Sequence, residues 1–248
     1  MVWWMHYNPG RRREGVYFGL KTEKDIVYQT VNIMYDCHDQ NYDGYDIHAL
    51  TNVGVNIFNI DLTQHDTEFF HKIKDAMEFS RNMPEMIPTA YYTPVAMSVT
   101  MSAKEPIDID DRVDIIILKD IMKTDQLREF KKRNKKFSAM PIMLWPPSLK
   151  IEDLNELIKI SGGIVLDPSL STIFYEFDHI LQRSKEARKP VFFMSPTIIQ
   201  DYYENTANDR QLLIQVHDII KNRLDGIFLA DRGGKPPIEL IQSLIRAT

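Results

Sequence analysis

The chain has 248 residues, enough for one large domain or two small ones, with 44% hydrophobic residues, 26% charged residues and a formal net charge of −5. Those proportions suit a soluble globular protein, and no apolar run approaches the ~20 residues that a spanning helix requires. A single cysteine, Cys37, excludes an internal disulfide framework and fits a reducing, cytoplasmic setting.

In chain order, residues 1–29 stand apart. They are aromatic and basic (Trp3, Trp4, Tyr7, Arg11, Arg12, Arg13, Tyr17, Phe18), follow no clear period, and read as an extension outside the domain of residues 30–248. Tryptophans precede arginines, the reverse of a signal peptide's order. The arginine triplet lacks a serine-rich amphipathic helix, so mitochondrial import is the weaker expectation. Trp, Tyr and Arg dominate binding hot spots, which makes Trp3, Trp4, Arg11, Arg12, Arg13 and Tyr17 the candidate residues for a protein partner. The bland alternative is a tail that packs on the domain or stays unstructured.

Short apolar runs then recur at 31–35, 55–60, 94–99, 113–118, 141–145, 163–166, 190–194 and 226–230. Each has the length of a parallel strand covered on both faces. Helical spacing lies between most of them. Residues 66–81 point Phe69, Phe70, Ile73 and Met77 toward a core, with Phe79 as a further candidate for that core face. The pattern returns at 124–136, 151–160, 172–187, 208–223 and 237–246, with Thr124, Thr172 and Asp209 as candidate caps. The link at 45–53 allows only a short helix, and residues 100–112 are too polar for a core helix. Eight evenly spaced strand–helix repeats predict a (β/α)8 barrel and disfavour an open doubly wound sheet.

Barrel chemistry comes from the C-terminal strand ends. Here these carry Asp36 and His38; Asp61, Thr63 and His65; Thr100 and Ser102; Lys119 and Asp120; Trp145; Asp167; Ser195; and Asp231 and Arg232. Carboxylates gathered at such a rim, notably Asp36, Asp61, Asp167 and Asp231, could hold a divalent metal or run acid–base chemistry. The same residues equally serve as helix caps and turn residues, Asp66 and Thr63 being placed to cap the helix that follows. No spacing has the specificity of a zinc-protease or P-loop motif.

From about Thr30 onward, the order of elements resembles the barrel domain of the pyruvate kinase family. KPVFFMSPTIIQDYY (189–203) is similar to that family's K-P-V-I-x-A-T-Q-M-L-E-S-M. RLDGIFLADRGGKPPIELI (223–241) is similar to its D-G-A-D-x-x-M-L-S-G-E-T-A-x-G-x-Y-P-x-E. Upstream, NVGVNIFNIDLTQH (52–65) resembles A-G-M-N-x-A-R-L-N-F-S-H, and TPVAMSVTMSAKEP (93–106) and SGGIVLDPSLS (161–171) occupy the places of P-V-A-x-x-L-D-T-K-G-P-E and S-D-G-I-x-V-A-R-G-D-L-G. Order, spacing and apolar skeleton carry the resemblance more than identity does.

Under that resemblance the functional positions are degenerate. The substrate arginine is replaced by Asn59, which lacks a guanidinium's charge and fork. The monovalent-cation ligands become Asp61, Thr63 and Thr100. In PIMLWPPS (141–148), Trp145 falls at the phosphoryl-stabilising lysine and Pro147 at a metal-binding glutamate. Leu170 falls at the second metal carboxylate, with Asp167 three residues earlier, and Ser195 stands where the family has threonine. Phosphoryl transfer depends on positioned cations, and losing one typically costs about 10²–10³ in rate. The resemblance therefore implies a barrel emptied of positive charge and filled with apolar bulk at Trp145. It also implies no lid domain after the third strand, no C-terminal regulatory domain, and no basis for the family's tetramer. The expectation is a pseudoenzyme serving as a structural or interaction component, with no cofactor. The alternatives are a metal-dependent enzyme on the acidic rim, or residual phosphoenolpyruvate binding or transfer with Mg²⁺ and K⁺. The run REFKKRNKKF (128–137) has six cations against one acid and reads as a solvated face or, less readily, a surface for an acidic partner. Without a nucleic-acid motif, no nucleic-acid partner is expected.

Overall fold

The computed structural model describes residues 32–38, 42–52, 54–81, 96–104, 109, 113–137, 140–148, 152–167, 174–194 and 225–230. Eight parallel strands close into a barrel in simple sequential order. They are β1 (Asn32–Asp36), β2 (Ile57–Asp61), β3 (Ala96–Ser102), β4 (Ile115–Lys119), β5 (Ile142–Trp145), β6 (Gly163–Leu166), β7 (Val191–Met194) and β8 (Gly226–Ala230). Closure runs through β1 and β8, in register from Asn32↔Gly226 to Asp36↔Ala230.

Each strand is buried on both faces, which explains its nearly continuous apolar character. Alternate residues divide the core in two. The inner set is Met34, Ile57, Ala96, Ile115, Ile117, Met143, Val165, Phe192, Met194 and Phe228, with Trp145 packed on it. The other set, with Ile33, Phe58, Val99, Ile116, Leu118, Leu144 and Ile164, joins the sheet to the helices.

The described helices are α1 (Gly44–Asn52), α2 (Thr67–Arg81), α3 (Thr124–Arg133), α4 (Leu154–Ile160) and α5 (Phe174–Glu186). Helix α2 buries Phe69, Phe70, Ile73 and Met77 as its periodicity predicts. The Asp66 carboxylate caps it, accepting a hydrogen bond from the Phe69 amide at 2.9 Å. Phe79 departs from expectation: it is 46% exposed and meets Tyr45 of α1 edge-on. It covers Gly44, where any Cβ would overlap its ring. Helix α3 buries Leu127 and Phe130 and stops at Arg133, three residues short of the predicted end, before a 3-10 turn at Lys135–Phe137. Thr124 opens that helix but does not cap it; its amide bonds the Asp153 carboxylate at 3.2 Å. Thr172, Asp209 and the helical patterns at 208–223 and 237–246 lie outside the described residues, as does the extension of residues 1–29. Residues 103–114 join β3 to β4. Among the described residues, no helix is long and apolar enough to cross a membrane.

Candidate functional site: the barrel mouth

At the C-terminal end of the barrel the interior changes character, because the inward positions of β1 to β4 become polar. Asn59 of β2 is the hub. Its Nδ2 donates to Asp36 Oδ1 at 2.6 Å, and its Oδ1 accepts from Ser98 Oγ at 2.9 Å and Thr100 Oγ1 at 3.1 Å. The amide thus has a donor end committed to β1 and an acceptor end committed to β3. Asp36 is also paired with His38 Nε2 at 3.0 Å. All four network members on the strands are fully buried, so their mutual satisfaction is what makes a polar layer tolerable there.

Asp61, two residues further along β2, is held by the turn that follows it. Its Oδ1 accepts from the Thr63 amide at 3.0 Å and from Thr63 Oγ1 at 2.6 Å, and its Oδ2 from Gln64 Nε2 at 2.9 Å. Thr63 therefore pins the carboxylate and does not cap α2. Lys119, at the end of β4, completes the set with its Nζ 2.5 Å from Asp61 Oδ2. Burial pushes the Asp61 carboxyl up, but the hydrogen bonds and charge of Lys119, together with Thr63, outweigh it and hold the group below its ordinary value.

The opposite wall is apolar. Trp145 meets Phe228 edge-on at 5.8 Å between ring centroids. The Lys119 ammonium lies over the indole, 4.4 Å from its centre. The expectation of a mouth emptied of positive charge is thereby corrected: Lys119 is a cation inside it, 23% exposed and tied to a carboxylate that is 2% exposed. Lys119 is a rim residue by its strand-end position, but its partner lies 58 residues away in the chain, beyond the reach of any local pattern.

The other rim residues divide plainly. Asp120 turns outward on a left-handed backbone (φ 64°) and is exposed. Asp167 is half-buried after β6, and Pro147 is exposed beyond Trp145. Ser102 is buried, its hydroxyl accepting from the Lys104 amide at 3.3 Å. Leu170, Ser195, Asp231 and Arg232 lie outside the described residues. Among the described residues no three His, Cys, Asp or Glu side chains are grouped to hold a metal ion. The donor set explains why: Asp36 and Asp61 point at different protein partners.

His65 closes the turn after β2. Its ring stacks on Phe69 of α2 with centroids 4.3 Å apart and lies 5.8 Å from the His38 ring. Burial, and next the neighbouring His38, lower its pKa; Asp36, Asp61 and Asp66 pull the other way.

The basic run is largely engaged in structure. Lys131 donates to the Ile160 carbonyl at 2.8 Å, Arg133 to Ala103 at 3.0 Å and Lys136 to Ile109 at 3.0 Å, while Arg128 pairs with Asp125. Cations committed to carbonyl oxygens hold neighbouring elements together, and this favours a structural role over a docking role for the run.

Fold and mouth together define the class: a closed, eight-stranded parallel α/β barrel whose inner rim is half polar network and half aromatic wall. No protein-family model matches the chain, and no curated protein matches it at a significant level.

Proposed function

We propose that this chain is a pyruvate kinase-like barrel that has lost phosphotransfer and serves as a structural or interaction component of an intracellular, cytoplasmic assembly. One observation carries the reading. The charged groups Asp36, Asp61 and Lys119 of the mouth are each spent on partners within the protein. Two carboxylates face one ammonium there, so the balance opposes a phosphoryl group instead of welcoming it. Trp145 stands where the resemblance puts the phosphoryl-stabilising lysine, and an indole offers no charge.

The family's cations also lack a home. The Pro147 side chain has no ligating atom, and the Asn59 side-chain carbonyl that faces the interior already accepts two hydroxyls. The twelve residues between Ser102 and Ile115 (103–114) are too few for a folded lid, since independent domains need roughly 40 or more. Partner contact is assigned to the extension, through Trp3, Trp4, Arg11, Arg12, Arg13 and Tyr17. A metal-dependent reaction on the acidic rim is the weaker reading, because Asp36 and Asp61 would first have to give up bonds to Asn59, His38, Lys119 and Thr63.

A coupled assay with phosphoenolpyruvate, ADP, Mg²⁺ and K⁺ tests the first half, with no turnover above buffer expected. Turnover within about three orders of magnitude of a working kinase, whose rates are typically 1–100 s⁻¹, overturns it. Co-purification of the intact chain beside one lacking residues 1–29 tests the second half. The expected result is a defined partner present at stoichiometric yield only with the intact chain.

A further inference from the structure

The turn between β2 and α2 is tied to Asp61 by Thr63, Gln64 and the Gln64 and His65 amides, which donate to the Asp61 carbonyl at 3.0 Å, and the His65 ring packs that turn onto α2. His65 covers Phe69 with its ring face, and its Nε2 is buried without a hydrogen-bond partner among the described residues. A neutral imidazole tolerates this, because a lone ring nitrogen in an apolar contact forfeits at most one hydrogen bond. A doubly protonated ring does not, since it would leave a charged N–H buried without an acceptor.

The groups facing the ring do not remedy this. From the end of β1 comes Asp36, from the segment just after it His38, from the end of β2 Asp61, and from the turn itself Asp66. Each carboxylate is already committed: Asp36 to Asn59 and His38, Asp61 to Thr63, Gln64 and Lys119, and Asp66 to the Phe69 amide. His38, 5.8 Å away, becomes a like charge when it too is protonated. The ring is only half-buried, so the cheapest response to a second proton is outward rotation into water.

We propose that His65 is an acid-released latch on the barrel mouth: proton uptake by its ring ends the stack on Phe69, loosens residues 62–66, and frees Asp61 and Lys119 from the geometry that keeps them paired. The consequence is a mouth that is closed on itself at neutral pH and accessible in mildly acidic surroundings. The lowered His65 pKa agrees in direction with the geometry.

Hydrogen–deuterium exchange of the intact chain at about pH 7.5 and about pH 5.5, corrected for intrinsic rates, reads the latch directly. Protection over residues 62–70 is expected to fall several-fold on acidification while the strands keep theirs. His65→Phe preserves the stack and carries no titrating nitrogen, so its turn should stay protected at both pH values. An equal loss in His65→Phe overturns the proposal, as does a wild-type loss shared by every strand, which signals global unfolding. Should the Phe variant fold poorly, the His65 ring titration followed by NMR decides. Its midpoint is expected below that of an ordinary histidine and should move up in His38→Asn; a midpoint at or above the ordinary value overturns the latch.

Discussion

At the scale of single residues, the interaction with most at stake is the ammonium of Lys119 against Asp61. A carboxylate that is 2% exposed cannot be left to water, yet three hydrogen bonds from Thr63 and Gln64 would survive the loss of the lysine. Lys119→Met should therefore cost about 1–3 kcal/mol, short of what stranding a fully buried charge costs. Matched urea unfolding of the two proteins measures it. The acid limb gives a second reading. Asp61 has its folded pKa below the unfolded value of 3.8, so its contribution is complete above about pH 5 and is lost as pH falls through the folded value. Lys119→Met removes the hydrogen bond and the charge that lower this pKa and keeps the burial that raises it, leaving Thr63 alone to oppose that burial. The variant's stability should then fall less steeply than wild type between about pH 4.5 and about pH 3. Parallel acid limbs would mean that the ion pair contributes little to the carboxyl's environment. The sequence made Asp61, Lys119 and Trp145 visible as strand-end residues. It could not make Asn59 visible as a hub, since its partners Asp36, Ser98 and Thr100 sit on two other strands, and side-chain pairing across strands leaves no local signal. The one available hint was the in-phase series Ser98, Thr100 and Ser102 within an otherwise apolar strand.

At the scale of elements, most of the strands were legible because parallel strands in a barrel must be apolar on both faces. The boundaries slipped where that rule fails. The run at 94–99 ends before Thr100, Met101 and Ser102, yet β3 continues through them, because the inward residues there feed a polar network and not an apolar layer. Helix α2 was legible from its period except at Phe79, whose place is set by a missing side chain on another helix, at Gly44. The same complementarity of large and small operates inside the barrel. A Cβ at Gly226 of β8 would overlap the ring of Phe192, which is fully buried on β7. Gly226→Ala should thus destabilise by about 1–3 kcal/mol through overpacking. Phe192→Leu alone should also destabilise, by leaving a void. Combined, the two substitutions should cost less than their sum, because the smaller side chain vacates the volume that the new methyl needs. A double-mutant cycle from denaturant midpoints measures the coupling; strict additivity would place the Phe192 ring elsewhere than against Gly226.

At the scale of the whole molecule, closure decides how the chain unfolds. An open sheet has edges that fray, whereas here β1 is bonded to β8 as well as to β2, and the inner cluster draws a residue from every strand. No half of such a barrel has a complete inner layer, because Met34 and Ile57 from the first strands pack in the same cluster as Phe192 and Phe228 from the last. The described barrel should consequently unfold in one step, and Trp145 is placed to report it, being the only one of the three tryptophans outside the extension. In a Trp3→Phe, Trp4→Phe background, fluorescence follows the mouth alone while far-UV circular dichroism follows the strands and helices. The two urea transitions are expected to share one midpoint and one slope, as a single cooperative unit requires. A fluorescence change completed well before the loss of circular dichroism would mean that the aromatic wall of the mouth comes apart independently of the barrel. The inner layer could then no longer be what joins the two halves.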